Sequence, residues 1–345
     1  MARSSDAPTR HSAHPGNWTQ YINIALLWLI ARLPWRWAVA LGTGLGRTLY
    51  HVARDRRYVV RRNLELCFPD LTVEQRERWV KENFGYTGRG LAELALGWFG
   101  GPAVDRIPCE FEGLEHLQSA LQAGQPVILL SGHFCCIELT ARLFGQDHQM
   151  AAIYKPIKKK PVFDQVMRSA RERNVGGAVA RTDIRGMLRH MKSGTPIWYA
   201  GDQHMKKAEH VFAPFFGVPT ATTTSLPRLA RLGKARVLPI FYRVAPGGAG
   251  YQITIGAPLE DYPCDDVLED VRRMNEVLES AVRDAPTQYF WVHRRFKSHP
   301  EGTRAAYPAL RSAHIGRLPW RKNKKKALKK HQKEADRERG TDDDT

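Results

Sequence analysis

His133 and Glu138 are the side chains of this sequence whose types and spacing best suit catalysis. They follow the apolar run Val127 to Leu130, which is typical of a short strand buried on both faces. Gly132 interrupts this run, and apolar residues resume at helical spacing from Cys135. His133 is therefore predicted to lie at a turn from a strand to a helix, where α/β folds usually place their chemistry.

The chemistry that this pair could perform is general-base catalysis. Glu138 lies about one and a half helical turns after His133, so its carboxylate could bend back toward the imidazole. A carboxylate on one ring nitrogen would fix the tautomer and leave the other nitrogen free to take a proton from a hydroxyl. Taken alone, the segment more often means a capping histidine and an exposed helical glutamate.

Two further segments carry polar or aromatic groups after apolar runs. Asp202 follows the apolar residues that begin at Trp198, so it would share a sheet edge with His133 if the two strands run parallel. Its alternative role is a cap for the next segment. The aromatic run Phe212-Ala-Pro-Phe-Phe-Gly217 could line an apolar channel for an acyl chain. Packing of these rings into the core fits equally well.

Basic residues are crowded after the histidine segment and near the end of the domain. A phosphate bound near His133 would need such donors, and arginine gives bidentate contacts; most of these residues are expected to be surface charge. The segment Gln288 to Lys297 mixes aromatic and basic side chains, as a lipid-headgroup or nucleotide site would. No histidine spacing typical of zinc sites occurs around His133, so we expect no metal. The basic residues after the histidine are Lys155, Lys158, Lys159, Lys160, Arg168, Arg171, Arg173, Arg181 and Arg185.

The composition indicates a globular protein with an anionic partner. The 345 residues are 43% hydrophobic, which is enough for a core, and carry a net charge of +18. Such an excess favours nucleic acid, a phospholipid surface or an acidic protein. The five cysteines include no Cys-x-x-Cys pair, so we interpret them as reduced and place the protein on the cytoplasmic side of a membrane.

Alternating short strands and helices from Glu110 to Arg283 predict an α/β fold in which helices cover a sheet. Before them, Trp18 to Leu33 is apolar but too short for the ~20 residues of a membrane-spanning helix. Its terminal tryptophans and arginines favour an interfacial anchor, with a short or tilted span as the alternative. We predict a disordered N-terminus (1–16), a membrane-anchoring segment (17–52), a catalytic domain (53–307) and a basic, disordered tail (308–345).

Five segments in a fixed order resemble the late acyltransferases of lipid A biosynthesis, above all the lauroyl (secondary acyl) transferase branch. They are Arg62-Asn-Leu-Glu-Leu-Cys-Phe-Pro69, Gly132-His-x4-Glu138, Trp198-Tyr-x-x-Asp-Gln203, Pro214-Phe-Phe-Gly217 and Tyr289-x-Trp-x-His-Arg-Arg-Phe-Lys-x-x-Pro-Glu-Gly302. The resemblance extends from about Trp18 to Tyr307. The wider superfamily, which includes the glycerol-phosphate acyltransferases, carries Asp at the position of Glu138, and the lipid A branch carries Glu.

The resemblance implies an α/β fold with a mixed sheet like that of the glycerol-phosphate acyltransferases, in an enzyme of the bacterial inner membrane whose active site faces the cytoplasm. It implies transfer of a fatty acyl group, expected to be lauroyl, from acyl carrier protein to the 3-hydroxyl of an acyl chain on Kdo2-lipid IVA. No metal or bound cofactor and no nucleic-acid partner is expected. An acyltransferase acting on another glycolipid or phospholipid, an acyl-coenzyme A user, and a non-enzymatic basic membrane-binding protein are the alternatives.

The same resemblance implies roles for particular residues. His133 would be the general base, with Glu138 orienting its ring, and Asp202 would support them. Arg171 would stabilise the oxyanion or a phosphate, with Arg181 and Arg185 as further candidates. The candidates for contact with the acyl chain or a lipid headgroup are Phe215, Phe216, Trp291, Arg294 and Arg295.

Overall fold

The body of this protein is a sheet surrounded by helices, seen in a computed structural model that describes residues 18–203, 209–298, 300 and 306–308. The helices are α1 (Trp18–Ile30), α2 (Trp35–Val52), α3 (Arg54–Cys67), α4 (Val73–Phe99), α5 (Leu114–Gln122), α6 (Ile137–Phe144), α7 (Pro161–Val175), α8 (Ile184–Lys192), α9 (Ser225–Gly233) and α10 (Val267–Asp284). The strands are β1 (Cys109–Glu112), β2 (Val127–Ser131), β3 (Met150–Tyr154), β4 (Gly176–Ala180), β5 (Ile197–Ala200), β6 (His210–Phe215), β7 (Val218–Thr223), β8 (Arg236–Val244) and β9 (Tyr251–Ile255).

Seven of these strands form one sheet in the order β1-β9-β8-β2-β5-β3-β4. Neighbouring strands run parallel except β8 and β9, which are antiparallel. The α/β fold predicted from the alternation of elements is therefore confirmed, as is the mixed sheet that the resemblance implied. β2 is central, and all five of its residues are buried, because its apolar run has neighbours on both sides and on both faces.

The aromatic run at 212–217 lies in the two remaining strands and the turn between them. β6 and β7 form an antiparallel hairpin in which Val211 pairs with Thr222 and His210 with Thr223. Because these threonines belong to the hairpin, the following helix begins only at Ser225. Phe216 and Gly217 both have positive φ values at the tip, which lets the chain reverse tightly.

α4 lies between α2 on one side and the loop before α6 on the other. A Cβ atom on Gly88 would lie 2.2 Å from the carbonyl oxygen of Gly42 in α2. Two residues on, a Cβ atom on Gly90 would lie 2.5 Å from the carbonyl oxygen of Cys135. Positions two apart are about 200° apart around a helix, so these glycines permit close packing on nearly opposite faces of α4. A capping box formed by Thr72 and Gln75 opens this helix.

α1 and α2 expose large apolar side chains. On α2 these include Trp37, which is 72% exposed, with Leu41 and Leu45 at spacings of four residues. On the inner side of α1, Leu27 packs against a small cluster formed by Trp98 and Met167. Within the part of the chain that the structure describes, no helix is both long and apolar enough to cross a membrane. The predicted disordered N-terminus (1–16) and all but the first residue of the predicted tail (308–345) lie outside the described residues.

Candidate active site

His133 lies in the loop between β2 and α6, at the carboxyl end of the central strand. β5 runs parallel to β2 beside it, so Asp202, which follows β5, reaches the same edge of the sheet. His133 Nδ1 lies 2.5 Å from Asp202 Oδ1. The shared sheet edge predicted for these two residues is thus confirmed.

Asp202 is almost wholly buried, with 1% of its side chain exposed. Its Oδ2 accepts hydrogen bonds from the backbone N–H of His133 and from the Tyr289 hydroxyl, each at 2.8 Å. Burial by itself would raise the pKa of this carboxyl, but the charge of His133 and the three hydrogen bonds lower the pKa below its usual range on balance. Asp202 is therefore an ionised, fully bonded partner for the imidazole at neutral pH.

The His133 ring is held at one nitrogen and accessible at the other end. A proton on Nδ1 is shared with Asp202, which leaves Nε2 to accept a proton from a substrate. The side chain is 31% exposed. Trp198 packs edge-on against the ring, with the two centroids 6.3 Å apart, and limits its rotation. This is the arrangement of a general base.

Glu138 occupies a different place from the one predicted for it. It lies in the first turn of α6, and its carboxylate accepts hydrogen bonds from the guanidinium of Arg171 on α7 and, at 2.8 Å, from Trp98 Nε1 on α4. The predicted hydrogen bond from Glu138 to the His133 ring is corrected by this geometry, because Asp202 takes that position. The regular helix begins at Ile137 and directs Glu138 toward α4 and α7.

Glu138 and Arg171 form a largely buried ion pair. Burial raises the pKa of Glu138, but the charge of Arg171 and the hydrogen bonds from Arg171 and Trp98 lower the pKa on balance. For Arg171, burial acts to lower the pKa, and the Glu138 charge more than offsets it, so the pKa is raised. Both groups are consequently charged at neutral pH, and the planar guanidinium is fixed in orientation.

A small apolar cavity of about 30 Å³ lies beside this ion pair, between the sheet and helices α6 and α7. Glu138 and Arg171 are the charged residues among its lining side chains. The apolar wall was not predicted, although alternating residues of β3 and β8 (Met150 and Ala152, Ile240 and Tyr242) carry a signal for one shared face. The other lining residues are Ile137, Thr140, Ala141, Phe144, Val175, Trp198 and Ile253.

The segment 286–297 supports the histidine loop from behind. The backbone N–H of Phe290 donates to the carbonyl of His133, and the N–H of Cys135 donates to the carbonyl of Gln288, both at 2.9 Å. Tyr289 adds the bond to Asp202 already described, a role that the sequence analysis did not assign to it. The aromatic residues of this segment thus pack around the His133 loop.

Most of the predicted lipid contacts are placed inside the protein. Trp291 is 1% exposed and donates from Nε1 to the carbonyl of Pro286. Arg295 is 2% exposed and donates to the carbonyl of Ala221 and the hydroxyl of Thr222. Such burial does not fit contact with a lipid headgroup.

The remaining candidates for lipid contact do not line the apolar cavity either. Phe215 is fully buried in the main core, and Phe216 is half-buried beneath the guanidinium of Arg283, which lies 4.6 Å from its ring centroid. Arg294 is half-buried.

Arg181 and Arg185 are exposed and lie beyond the edge strand β4. β4 is three strands away from β2, which corresponds to about 14 Å at ~4.8 Å per strand. Of the three candidate arginines, Arg171 is therefore the one that the structure brings to Glu138. Among the described residues, no three His, Cys, Asp or Glu side chains are grouped as metal ligands would be.

Comparison with known proteins identifies the family of this chain. Residues 7–298 match the family described as bacterial lipid A biosynthesis acyltransferase. The chain is 36% identical over 295 residues to the lipid A biosynthesis lauroyltransferase of Escherichia coli K12, covering 85% of this chain and 96% of the relative. It is 33% identical over 300 residues to the palmitoleoyltransferase of the same organism, covering 87% and 97%. The myristoyltransferase of that organism is 30% identical over 296 residues, covering 84% and 90%.

Proposed function

Since this chain belongs to the bacterial lipid A biosynthesis acyltransferase family and is an acyltransferase, we propose that it transfers a lauroyl group from acyl carrier protein to the 3-hydroxyl of an acyl chain on Kdo2-lipid IVA. The observation that carries the proposal is the pairing of His133 with Asp202 at the sheet edge, next to the Glu138–Arg171 pair and its apolar cavity. An activated hydroxyl, a fixed cation and a place for a hydrocarbon chain are what this reaction requires.

His133 acts as the general base in this mechanism. Nε2 takes the proton of the acceptor hydroxyl while its oxygen bonds to the thioester carbonyl carbon. The positive charge that forms on the imidazole is balanced by Asp202, which is already ionised and bonded to Nδ1. When the tetrahedral adduct collapses, its carbon–sulfur bond breaks and the imidazolium returns the proton to the departing thiolate. The products are an ester and a free thiol, so the enzyme is restored.

Arg171 stabilises the oxyanion of the tetrahedral adduct. Its Nη2 and Nε are directed at Glu138, so Nη1 remains to face the reacting carbonyl. In a buried setting a fixed donor of this kind is worth more than in water, because it pays no reorganisation during the reaction. Glu138 thereby acts through Arg171, as the residue that holds the guanidinium in place.

The acyl chain of the donor begins in this small apolar cavity, whose walls move apart to admit the rest of the chain. Its walls are hydrocarbon and aromatic, so a chain of methylenes gains roughly 0.8 kcal/mol for each group removed from water. Glu138 and Arg171 line this cavity, so a chain that enters it has its carbonyl carbon next to Arg171, the donor to the oxyanion. Lauroyl is proposed because the lauroyltransferase relative is 36% identical to this chain.

The enzyme works on the cytoplasmic surface of the inner membrane, with α1 and α2 lying on the bilayer. Trp18, Ile22 and Leu26 of α1 and Trp37 and Leu41 of α2 expose apolar side chains suited to the headgroup boundary. The net charge of +18 favours an anionic lipid surface, a phosphorylated acceptor and an acidic carrier protein. The five cysteines are free thiols, which fits a reducing compartment.

The direct test is acyl transfer by the purified protein in mixed micelles. Kdo2-lipid IVA is incubated with lauroyl, myristoyl or palmitoleoyl acyl carrier protein in competition, and the product is identified by mass spectrometry. We expect addition of one lauroyl group by the wild type and almost none by His133→Ala. Preference for another chain would overturn lauroyl alone, and turnover with acyl-coenzyme A but not with the carrier protein would overturn the donor. Transfer to a phospholipid or another glycolipid in place of Kdo2-lipid IVA would overturn the acceptor.

A further inference from the structure

Tyr289 is a buried phenol bonded to the carboxylate that holds the catalytic imidazole. Its hydroxyl donates to Asp202 Oδ2 at 2.8 Å, the same oxygen that accepts the backbone N–H of His133. The other carboxylate oxygen, Oδ1, faces His133 Nδ1. The tyrosine hydroxyl therefore completes a set of three hydrogen bonds that fixes both oxygens of Asp202.

The position of Tyr289 is itself over-determined by its surroundings. Its backbone carbonyl accepts from Asn83 Nδ2 on α4 at 2.7 Å, and it pairs with Phe134 as an isolated bridge. Its ring packs against Trp291 at 4.8 Å and against Phe134 at 5.5 Å, measured between centroids. Packing thus holds the ring in place, and the hydrogen bond of the hydroxyl goes to Asp202.

We propose that Tyr289 is a positioning residue of the acyl-transfer reaction, which acts through Asp202 by locking the carboxylate so that Oδ1 stays directed at His133 Nδ1. Without the hydroxyl, Oδ2 keeps a single donor and the carboxylate gains freedom to turn about its Cβ–Cγ bond. The imidazole then spends less time in the orientation that presents Nε2 to the acceptor. This inference rests on the proposed function, since it concerns the same base.

Tyr289→Phe isolates the hydroxyl, because the ring and its packing remain. We expect kcat of the full-length protein with lauroyl acyl carrier protein and Kdo2-lipid IVA to fall roughly tenfold or more, as loss of a hydrogen bond to a charged group allows. KM should stay within about twofold, because Tyr289 does not touch the substrate. In an Asp202→Asn background, Tyr289→Phe should cause no further loss, since the base that the hydroxyl helps to position is already disabled.

Tyr307→Phe is the matched control. Tyr307 is also buried, and its hydroxyl donates to Asn63 Oδ1 at 2.6 Å and accepts from the Phe296 N–H at 3.2 Å, away from Asp202. Tyr307→Phe should lower the melting temperature by at least as much as Tyr289→Phe does, and it should leave kcat unchanged. If Tyr289→Phe does not fold, 3-fluorotyrosine at position 289, which keeps the donor, provides the second variant and should retain wild-type kcat.

Three results would overturn the role of Tyr289 in an enzyme that is otherwise active. These are a wild-type kcat in folded Tyr289→Phe, an equal loss in Tyr307→Phe, and a loss that multiplies with that of Asp202→Asn. A loss of kcat in the fluorotyrosine protein equal to that of Tyr289→Phe would overturn it as well. A wild-type protein that transfers no acyl group would instead overturn the proposed function and is recognised before any variant is measured.

Discussion

Replacing Asp202 by asparagine should disable the base without disturbing the shape of the site. Oδ2 of Asp202 accepts from two donors, the His133 N–H and the Tyr289 hydroxyl, whereas Oδ1 faces His133 Nδ1. An amide has one oxygen, and the two donors select it for the Oδ2 position. The NH₂ group then faces Nδ1 and donates to it, so the imidazole carries its own proton on Nε2.

The size of the effect follows from this tautomer. With Nε2 protonated, His133 cannot accept the proton of the hydroxyl, and the contribution of general-base catalysis is lost. That contribution is typically 10²–10⁴-fold, or roughly 3–5 kcal/mol of transition-state stabilisation. The imidazolium would also lose the buried negative charge that balances it. We therefore expect kcat/KM of Asp202→Asn to fall by about 10²–10⁴-fold, close to the loss in His133→Ala.

The assay is steady-state acyl transfer in mixed micelles, measured with thermal unfolding of the same preparations. Glu138→Gln is the informative comparison, because its carboxylate is also buried but is bonded to Arg171 and Trp98. Its loss should multiply with that of His133→Ala, whereas the loss in Asp202→Asn should not. A folded Asp202→Asn enzyme with more than about a tenth of wild-type activity would refute the argument, as would coupling of His133 to Glu138 in place of Asp202.

Three further expectations follow from the same contacts. Arg171→Lys should lose most activity, because a point charge replaces the planar guanidinium that Glu138 holds. Arg168→Lys, on the exposed side of the same helix, is the control and should keep its activity. Equal rates in the two variants would remove Arg171 from the site. Glutamate in place of Trp37, Leu41 and Leu45 together should weaken binding to anionic phospholipid vesicles in a flotation assay, with Leu268→Glu on α10 as the control; unchanged flotation would place the contact elsewhere. Because the pKa of Asp202 is lowered in the folded protein, its carboxylate stabilises the fold above the unfolded pKa of about 3.9, and this stability is lost as the pH falls toward the folded pKa. The urea midpoint should therefore drop less between pH 7 and pH 3 in Asp202→Asn than in the wild type. Equal drops in the two proteins would contradict this.

The sheet and the His133–Asp202 edge could be predicted because their signals are local. An apolar run that ends in Gly and a polar residue marks the carboxyl end of a buried strand, and two such ends meet when the strands are parallel neighbours. The hairpin at 210–223 was not predicted, because Pro214 and the tip glycine hide its alternation.

The partner of Glu138 could not be predicted from spacing along the chain. The choice between bending back to His133 and pointing away depends on Trp98, forty positions earlier, and on Arg171, thirty-three positions later. The predicted lipid contact of Arg295 was wrong for a related reason. Arginine is rarely buried, so the sequence suggested a surface role, and only the three-dimensional neighbours Ala221 and Thr222 show that Nη1 and Nη2 of Arg295 donate inside the protein.

The glycine faces of α4 set the distance between the His133 loop and the exposed apolar surface of α2. Gly88 lets α2 approach on one face, and Gly90 lets the His133 loop approach on the nearly opposite face. With helices about 8–10 Å apart at such contacts, the loop lies roughly 15–20 Å from the layer that exposes Trp37 and Leu41. If α2 lies on a bilayer as proposed, this distance exceeds the roughly 5–8 Å of one headgroup layer, so an acceptor lipid would have to rise well out of the bilayer to reach His133.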